Sequence, residues 1–134
     1  MKILIDTNVL ISAALFPAGT AAQAYAKATK QPYKIVICDY CVQEFKRIVR
    51  KKFPKRISVA NAFLAEILTE IKLVRVPRDD SEIDERIRDP KDRPILQAAL
   101  KVKVDVILTG DKDFLESDIQ KPRMLSPAEF IKAK

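Results

Sequence analysis

The sequence predicts an α/β domain with a central parallel sheet of about five strands, and two observations support this fold class. Short runs of leucine and β-branched residues alternate along the chain with longer amphipathic stretches. The short runs are almost continuously apolar, which is typical of parallel strands that are buried on both faces. At 134 residues, without repeats or long linkers, the chain is expected to form one domain, residues 1–134.

Turn and capping residues separate the predicted elements. Thr20 is expected to cap the second helix, Asp39 the third and Asp92 the fifth, which has Pro94 in its first turn. Pro54 should end the third helix. The predicted strands are residues 2–6, 34–38, 73–76, 104–109 and the less apolar 123–126, and the predicted helices are residues 8–15, 20–28, 39–53, 58–73, 92–103 and 126–133.

The chain contains no histidine and two cysteines. The lack of histidine excludes Ser-His-Asp and Cys-His catalysis, so any chemistry must come from carboxylates, hydroxyls, lysines or a metal ion. Cys38 and Cys41 form a CxxC motif, but without a second pair a zinc site is not expected. We interpret them as small apolar residues at a strand end and a helix start, with a redox motif as the alternative.

The sequence favours a cytoplasmic protein with no membrane partner. No apolar run approaches the roughly 20 residues that a membrane-spanning helix needs. The first residues, MKILIDTNVL, reach an aspartate after a short apolar run, which does not fit a secretory signal.

The net charge is +7, and the basic excess is concentrated in residues 46–56, KRIVRKKFPKR, which hold seven basic residues and no acid. Such a cluster attracts polyanions by neutralising phosphates and releasing counterions. Lys46, Arg47, Arg50 and Lys51 are therefore candidate nucleic-acid-binding residues. The alternative is a solvated helix face that only keeps the protein soluble.

Two aspartates stand at the carboxyl ends of predicted strands. Asp6 ends the first strand, and Asp111 follows the fourth strand after Gly110, one of only two glycines. Ligands of open α/β sheets bind beyond these ends, where the strand order reverses. If the first and fourth strands are neighbours there, the two carboxylates face one crevice. Gly110 is expected to let the backbone turn sharply and approach a phosphate closely.

Two further acids are candidates for the same crevice. Glu44 lies at the edge of the apolar face of its predicted helix, where it either turns toward the site or swings to solvent and pairs with Lys51. Asp92 is either an ordinary helix cap or a cap that also reaches a metal, and Asp89 is the second choice for that role.

The remaining candidates are polar residues next to the aspartates. Asp113 is a possible ligand, a cap for the residues after it, or both. Asn8 and Thr109 are candidate supporting groups, although a helix start and strand propensity explain them equally well.

Two carboxylates about 4 Å apart repel by about 4 kcal/mol at an effective dielectric constant of about 20, so such a cluster takes up protons or a cation. Oxygen ligands suit Mg²⁺ or Mn²⁺, which would promote phosphodiester hydrolysis.

Four segments, ILIDTNVLISAAL, VQEFKRIV, DPKDRPILQAAL and VILTGDKDFL, resemble the PIN-domain ribonucleases in order and approximate spacing. The likeness is strongest to the VapC-like toxins of prokaryotic toxin–antitoxin pairs and covers nearly the whole chain. It implies a three-layer α/β/α sandwich with strand order 3-2-1-4-5 and an Mg²⁺- or Mn²⁺-dependent endoribonuclease. By motif, the acids of the family fall on Asp6, Glu44, Asp92 and Asp111, with Asp113 as an accessory acid and Asn8 and Thr109 as supporting groups.

The resemblance also implies RNA as substrate, a cognate antitoxin as partner and a homodimer. Residues 59–68, VANAFLAEIL, would then pack either against a second copy or within the core. Two other functions are considered. One is a non-catalytic RNA- or protein-binding module on the same fold. The other is a haloacid-dehalogenase-like phosphatase, which needs a second aspartate where this chain has Asn8.

Overall fold

A computed structural model of the protein describes residues 1–75 and 93–133. Its strands are β1 (Lys2–Ile5), β2 (Lys34–Cys38), β3 (Lys72–Val74), β4 (Val106–Leu108) and β5 (Arg123–Leu125). They form one parallel sheet in the order β3-β2-β1-β4-β5. The predicted α/β class and strand order are thus confirmed.

Seven α-helices lie among the described residues, together with one 3-10 turn, Pro54–Arg56, that follows the third helix. Since proline cannot continue a helix, this break agrees with the expected end of that helix at Pro54. The helices are α1 (Thr7–Leu15), α2 (Thr20–Ala28), α3 (Asp39–Lys52), α4 (Ile57–Glu70), α5 (Arg93–Lys101), α6 (Lys112–Leu115) and α7 (Pro127–Lys132).

Several boundaries differ from the predicted ones. Helix α2 is capped by Gly19 rather than Thr20, and α3 by Cys38 rather than Asp39. Helix α4 ends before the predicted residue 73, because Ile71 already has extended backbone angles and the chain enters β3 directly. The short helix α6 begins at Lys112, so it already includes Asp113, the candidate cap of the residues that follow.

The strand order reverses between β1 and β4, which are hydrogen-bonded neighbours. The backbone N–H of Asp6 donates to the carbonyl oxygen of Leu108 at 3.0 Å, so the pairing continues past the end of β1. Asp6 and the residues that follow β4 therefore meet at the carboxyl edge of the sheet. This is the place where open α/β sheets bind their ligands.

Helix α3 is held against the core by one apolar face. Cys41 and Phe45 have no exposed surface and Val49 is 2 % exposed. Each large apolar side chain contributes about 1.5–3 kcal/mol when it is fully buried, so this face fixes the rotation of α3 about its axis. Glu44 and Ile48 consequently lie at the edge of the buried face, where both are half-buried.

Helix α4 buries Ala60, Leu64 and Ile67, while Val59 and Leu68 are exposed on opposite sides of this buried face. Within the described part of the chain, no single helix is long and apolar enough to cross a membrane. Helices α1 and α2 reach such a length and apolar composition only when they are taken together, and a bend of 106° separates them.

Candidate functional site

A cleft of about 280 Å³ opens at the carboxyl edge of the sheet, above the point where the strand order reverses. Its walls come from the start of α1, one side of α3, the first turns of α5 and the loop after β4. The residues that line it are Asp6, Thr7, Asn8, Tyr40, Glu44, Arg47, Ile48, Lys51, Lys52, Ile95 and Asp111.

Asp6 forms the floor of this cleft and is only 4 % exposed. It caps α1, where its Oδ1 accepts the backbone N–H of Thr7 at 2.7 Å. Its Oδ2 accepts the hydroxyl of Thr109 at 2.8 Å. Each carboxylate oxygen has two lone pairs, so each retains capacity for a further partner.

Thr109 connects the two aspartates. Its hydroxyl donates to Asp6 and, through the same oxygen, accepts the backbone N–H of Asp111 at 3.0 Å. Asp111 in turn caps α6, where its Oδ1 accepts the backbone N–H of Asp113 at 2.8 Å. A fully buried threonine side chain thus fixes the loop after β4 relative to the end of β1.

Burial raises the pKa of Asp6 from its ordinary 3.8 to about 6. The hydrogen bonds from Thr109 and Thr7 oppose this increase, and the charges of Asp111 and Glu44 add to it. Because Coulomb interactions weaken with distance, these contributions place all three carboxylates in one electrostatic neighbourhood. A cation in the cleft would favour the ionised form of Asp6.

Glu44 reaches the cleft from α3, with 19 % of its side chain exposed. Its Oε2 accepts a hydrogen bond from Arg47 Nη2 at 2.7 Å, one helical turn away. The expected pairing with a basic neighbour therefore involves Arg47 and not Lys51. Arg47 has 55 % of its side chain exposed and lies at the rim.

The basic residues of α3 divide between two surfaces. Arg47, Lys51 and Lys52 line the acidic cleft. Lys46 and Arg50 line a separate groove between α3 and α4. Helical spacing pairs Arg47 with Lys51 and Lys46 with Arg50, because residues four apart share a face.

Several sequence-based expectations need correction. Asp113 is not the cap of the helix after β4, because Asp111 has that role and Asp113 lies in the first turn of α6. Gly110 has no positive φ, and within the described structure an added Cβ there would contact nothing within 4 Å. The sharp turn expected at Gly110 is therefore wrong, although the open space beside it remains. Asp92 and Asp89 lie outside the described residues.

Sequence reasoning missed five lining residues, which are Thr7, Tyr40, Ile48, Lys52 and Ile95. Lys52 belongs to the recognised basic cluster, and its place four residues after Ile48 could have indicated the cleft side of α3. Nothing in the local pattern of Tyr40 or Ile95 marks them, because both reach the cleft through the packing of α3 and α5 around the strand ends.

The cleft offers carboxylate and amide oxygens, the donors that Mg²⁺ and Mn²⁺ prefer. Asp6, Glu44 and Asp111 fit such an ion by their chemistry and by their position on one cleft. Within residues 1–75 and 93–133, no three acidic or sulfur side chains are grouped closely enough to hold an ion between them. Glu44 is turned toward Arg47, and the predicted fourth acid, Asp92, lies outside the described chain.

Solved structures with the same fold include three from bacterial toxin–antitoxin systems. A chain of VapBC2 from Rickettsia felis, solved with a fragment of promoter DNA, has a TM-score of 0.70 and 14 % identity, over 94 % of this chain and 98 % of that one. VapC20 of Mycobacterium tuberculosis, a toxin that cleaves the sarcin-ricin loop, has a TM-score of 0.64 and 20 % identity, over 85 % of this chain and 93 % of that one. A chain of DNA-bound VapBC from Salmonella typhimurium has a TM-score of 0.63 and 14 % identity, over 95 % of this chain and 98 % of that one.

No curated protein matches the sequence. The family description that does match is that of the PIN domain, over residues 2–113. This match spans most of the chain, includes both cleft aspartates and agrees with the strand order of the sheet. The protein therefore belongs to the PIN-domain family.

Proposed function

We propose that this protein is an Mg²⁺- or Mn²⁺-dependent endoribonuclease. The observation that carries the proposal is the convergence of Asp6, Glu44 and Asp111 on one cleft of a PIN domain, with three basic residues of α3 on its wall. Acids at the floor suit a cation, and lysine and arginine at the rim suit the phosphates of a polyanion. Histidine, which the chain lacks, is not needed for this chemistry.

Asp6, Glu44 and Asp111 would hold the ion, with Asp92 as the fourth ligand that the sequence motif assigns and Asp113 as an accessory acid. A bound ion would polarise the phosphodiester and lower the pKa of the attacking water. The Thr109 hydroxyl orients Asp6 by donating to its Oδ2, which leaves the remaining lone pairs of that carboxylate for the cleft. Asn8, exposed on the cleft wall, supplies an amide to the substrate or to ordered water.

We place RNA contact on the cleft side of α3. Lys51 and Lys52 would each neutralise a phosphate, and Arg47 would join them when it leaves Glu44. Lys46 and Arg50 belong to the other groove, so we do not retain them as contacts near the scissile bond. Their place in that groove suits a role in solubility.

A toxin role with a cognate antitoxin is part of this proposal, and the similar fold of the VapBC chains supports it. A homodimer through α4 is part of it as well, and it would cover one exposed apolar flank of this helix, either that of Val59 or that of Leu68, which are 48 % and 36 % exposed. The competing function is a non-catalytic RNA- or protein-binding module. It would bind RNA without cleaving it, so a cleavage assay separates the two. Because the chain is a PIN domain, the hypothesis of a haloacid-dehalogenase-like phosphatase is not retained.

We expect purified protein, free of any antitoxin, to cleave RNA in Mg²⁺ or Mn²⁺ and to stop when EDTA is added. Asp6→Asn should lower the cleavage rate by at least about 100-fold, because a neutral amide cannot offer the same charge to the ion. Asp118→Asn, at an exposed position, is the matched control and should keep the wild-type rate. Cleavage by Asp6→Asn at the wild-type rate in EDTA would reject the mechanism.

The raised pKa of Asp6 also predicts a pH-dependent stability difference in the absence of metal. A pKa of about 6 when folded means that the folded chain holds this proton more tightly than the unfolded chain, where the ordinary value is 3.8. This proton therefore stabilises the folded state fully below about pH 3.8, and the stabilisation is lost as the pH rises through about 6. The loss corresponds to about 3 kcal/mol of the free energy of unfolding.

Asp6→Asn removes this titration, so in EDTA above about pH 7 the variant should be more stable than wild type by up to about 3 kcal/mol. The difference should vanish near about pH 4. Urea unfolding of both proteins across this pH range measures it, with Asp118→Asn as the control that tracks wild type throughout. A variant that is less stable than wild type at neutral pH would contradict the inferred burial cost.

The two surfaces of α3 should differ in RNA binding. In EDTA, Lys51→Ala/Lys52→Ala should weaken binding and reduce the slope of log Kd against log salt by about 1.4, which corresponds to two lost contacts with a single strand. Lys46→Ala/Arg50→Ala removes the same charge from the other groove and should leave the slope nearly unchanged. Equal losses in both variants would mean that charge alone, and not the cleft, determines binding.

A further inference from the structure

The CxxC motif has a specific place in the fold that the proposed nuclease chemistry does not use. Cys38 is the last residue of β2 and the cap of α3, and Cys41 lies in the first turn of that helix. Both are free thiols with no exposed surface. Their Sγ atoms are 3.1 Å apart and share a hydrogen bond.

This arrangement brings the sulfurs within about 1 Å of the disulfide bond length, which is about 2.05 Å. Both cysteines are anchored, Cys38 by the pairing of β2 with β3 and Cys41 by the buried face of α3. A bond between them therefore needs a small approach of two side chains and no rearrangement of the strand or the helix. Packing alone would require only two small apolar side chains and gives no reason for the sulfurs to face each other.

The two thiols are chemically unequal. The backbone N–H of Cys41 donates to Cys38 Sγ at 3.4 Å, at the amino terminus of α3, where a thiolate is stabilised. When Cys38 is ionised, only Cys41 can donate the hydrogen bond between the sulfurs, and this bond lowers the pKa of the Cys38 thiol. The same bond, together with burial, raises the pKa of the Cys41 thiol well above its usual value.

We propose that Cys38 and Cys41 are a redox-active dithiol that forms a reversible intramolecular disulfide by exchange with a small-molecule disulfide such as oxidised glutathione. The Cys38 thiolate attacks one sulfur of the small molecule, whose S–S bond breaks and releases one thiolate. Cys41 then loses its proton and attacks the sulfur of Cys38, which releases the second thiolate. Two protein thiols are oxidised and one external disulfide is reduced to two thiols.

The site lies beside the acidic cleft but does not depend on its function. Leu4 of β1 pairs with Val36 of β2, so two residues further along Asp6 comes level with Cys38. The charge of Asp6 disfavours the ionised form of either cysteine, but for Cys38 the hydrogen bond from Cys41 outweighs it and the pKa of that thiol stays below its usual value. The dithiol proposal involves no cleavage of RNA, and its test has no nuclease readout.

The test is a glutathione redox titration of the full chain, followed by acid quenching, alkylation of free thiols and mass spectrometry of the intact protein. In the oxidising mixtures we expect a mass lower by two hydrogen atoms, no alkyl adduct and full reversal by dithiothreitol. Because both sulfurs are buried, a second set of samples is unfolded and refolded in the same mixtures, so that access does not limit the result.

Single variants test the order of attack. Cys41→Ser should trap a glutathione adduct on Cys38, and this adduct should form about tenfold faster than the adduct on Cys41 in Cys38→Ser. The double variant Cys38→Ser/Cys41→Ser is the control that shows no mass loss. Alanine replaces serine in any variant whose circular dichroism departs from wild type.

Two results would overturn the proposal. One is a protein whose two thiols remain alkylated at every glutathione ratio, in refolded as in native samples. The other is oxidation that yields only disulfide-linked dimers, since that would show that the sulfurs react between chains and not within one.

Discussion

Asp6 carries its carboxylate where water barely reaches it, between the Thr7 amide and the Thr109 hydroxyl. Two hydrogen bonds do not compensate fully for the lost hydration, so the pKa of this group rises to about 6. The strand order imposes the position, because β1 ends beside β4 and the chain must leave the sheet there. The cleft above the strands is arranged around this one costly group.

The charged neighbours of Asp6 act in both directions on the free energy of its ionised carboxylate. Asp111 and Glu44 add negative charge to the same cleft and raise the pKa of Asp6 further. Arg47 offsets part of that charge through Glu44, and Lys51 and Lys52 add positive potential at the rim. Such a cluster of carboxylates lowers the free energy of unfolding at neutral pH. A cost in stability of this kind is common at sites that bind a charged ligand.

Much of this arrangement could be predicted from the sequence, because simple geometric rules govern it. Asp6 and Asp111 follow buried strands, and the switch-point rule places them together once β1 and β4 are neighbours. The helical period of 100° per residue places Glu44 at the edge of the apolar face of α3, where the structure has it. These inferences need only the position of each residue along its strand or around its helix, which can be counted from the sequence.

Other features depend on contacts between distant segments, which spacing does not record. The groove that Lys46 and Arg50 line exists because α4 packs on α3, and the role of Thr109 depends on its hydrogen bond to Asp6 on the neighbouring strand. The turn expected at Gly110 was wrong because a glycine after a strand has several possible conformations, and the observed one does not need it.

A carbon-detected NMR titration of the Asp6 carboxyl, in EDTA and again in saturating Mg²⁺, tests the proposed metal site most directly. We expect a pKa of about 6 in EDTA and a value below the ordinary 3.8 in Mg²⁺, because a cation favours the ionised carboxylate. An ordinary pKa that is the same in both conditions would mean that Asp6 neither bears the burial cost nor meets a metal ion.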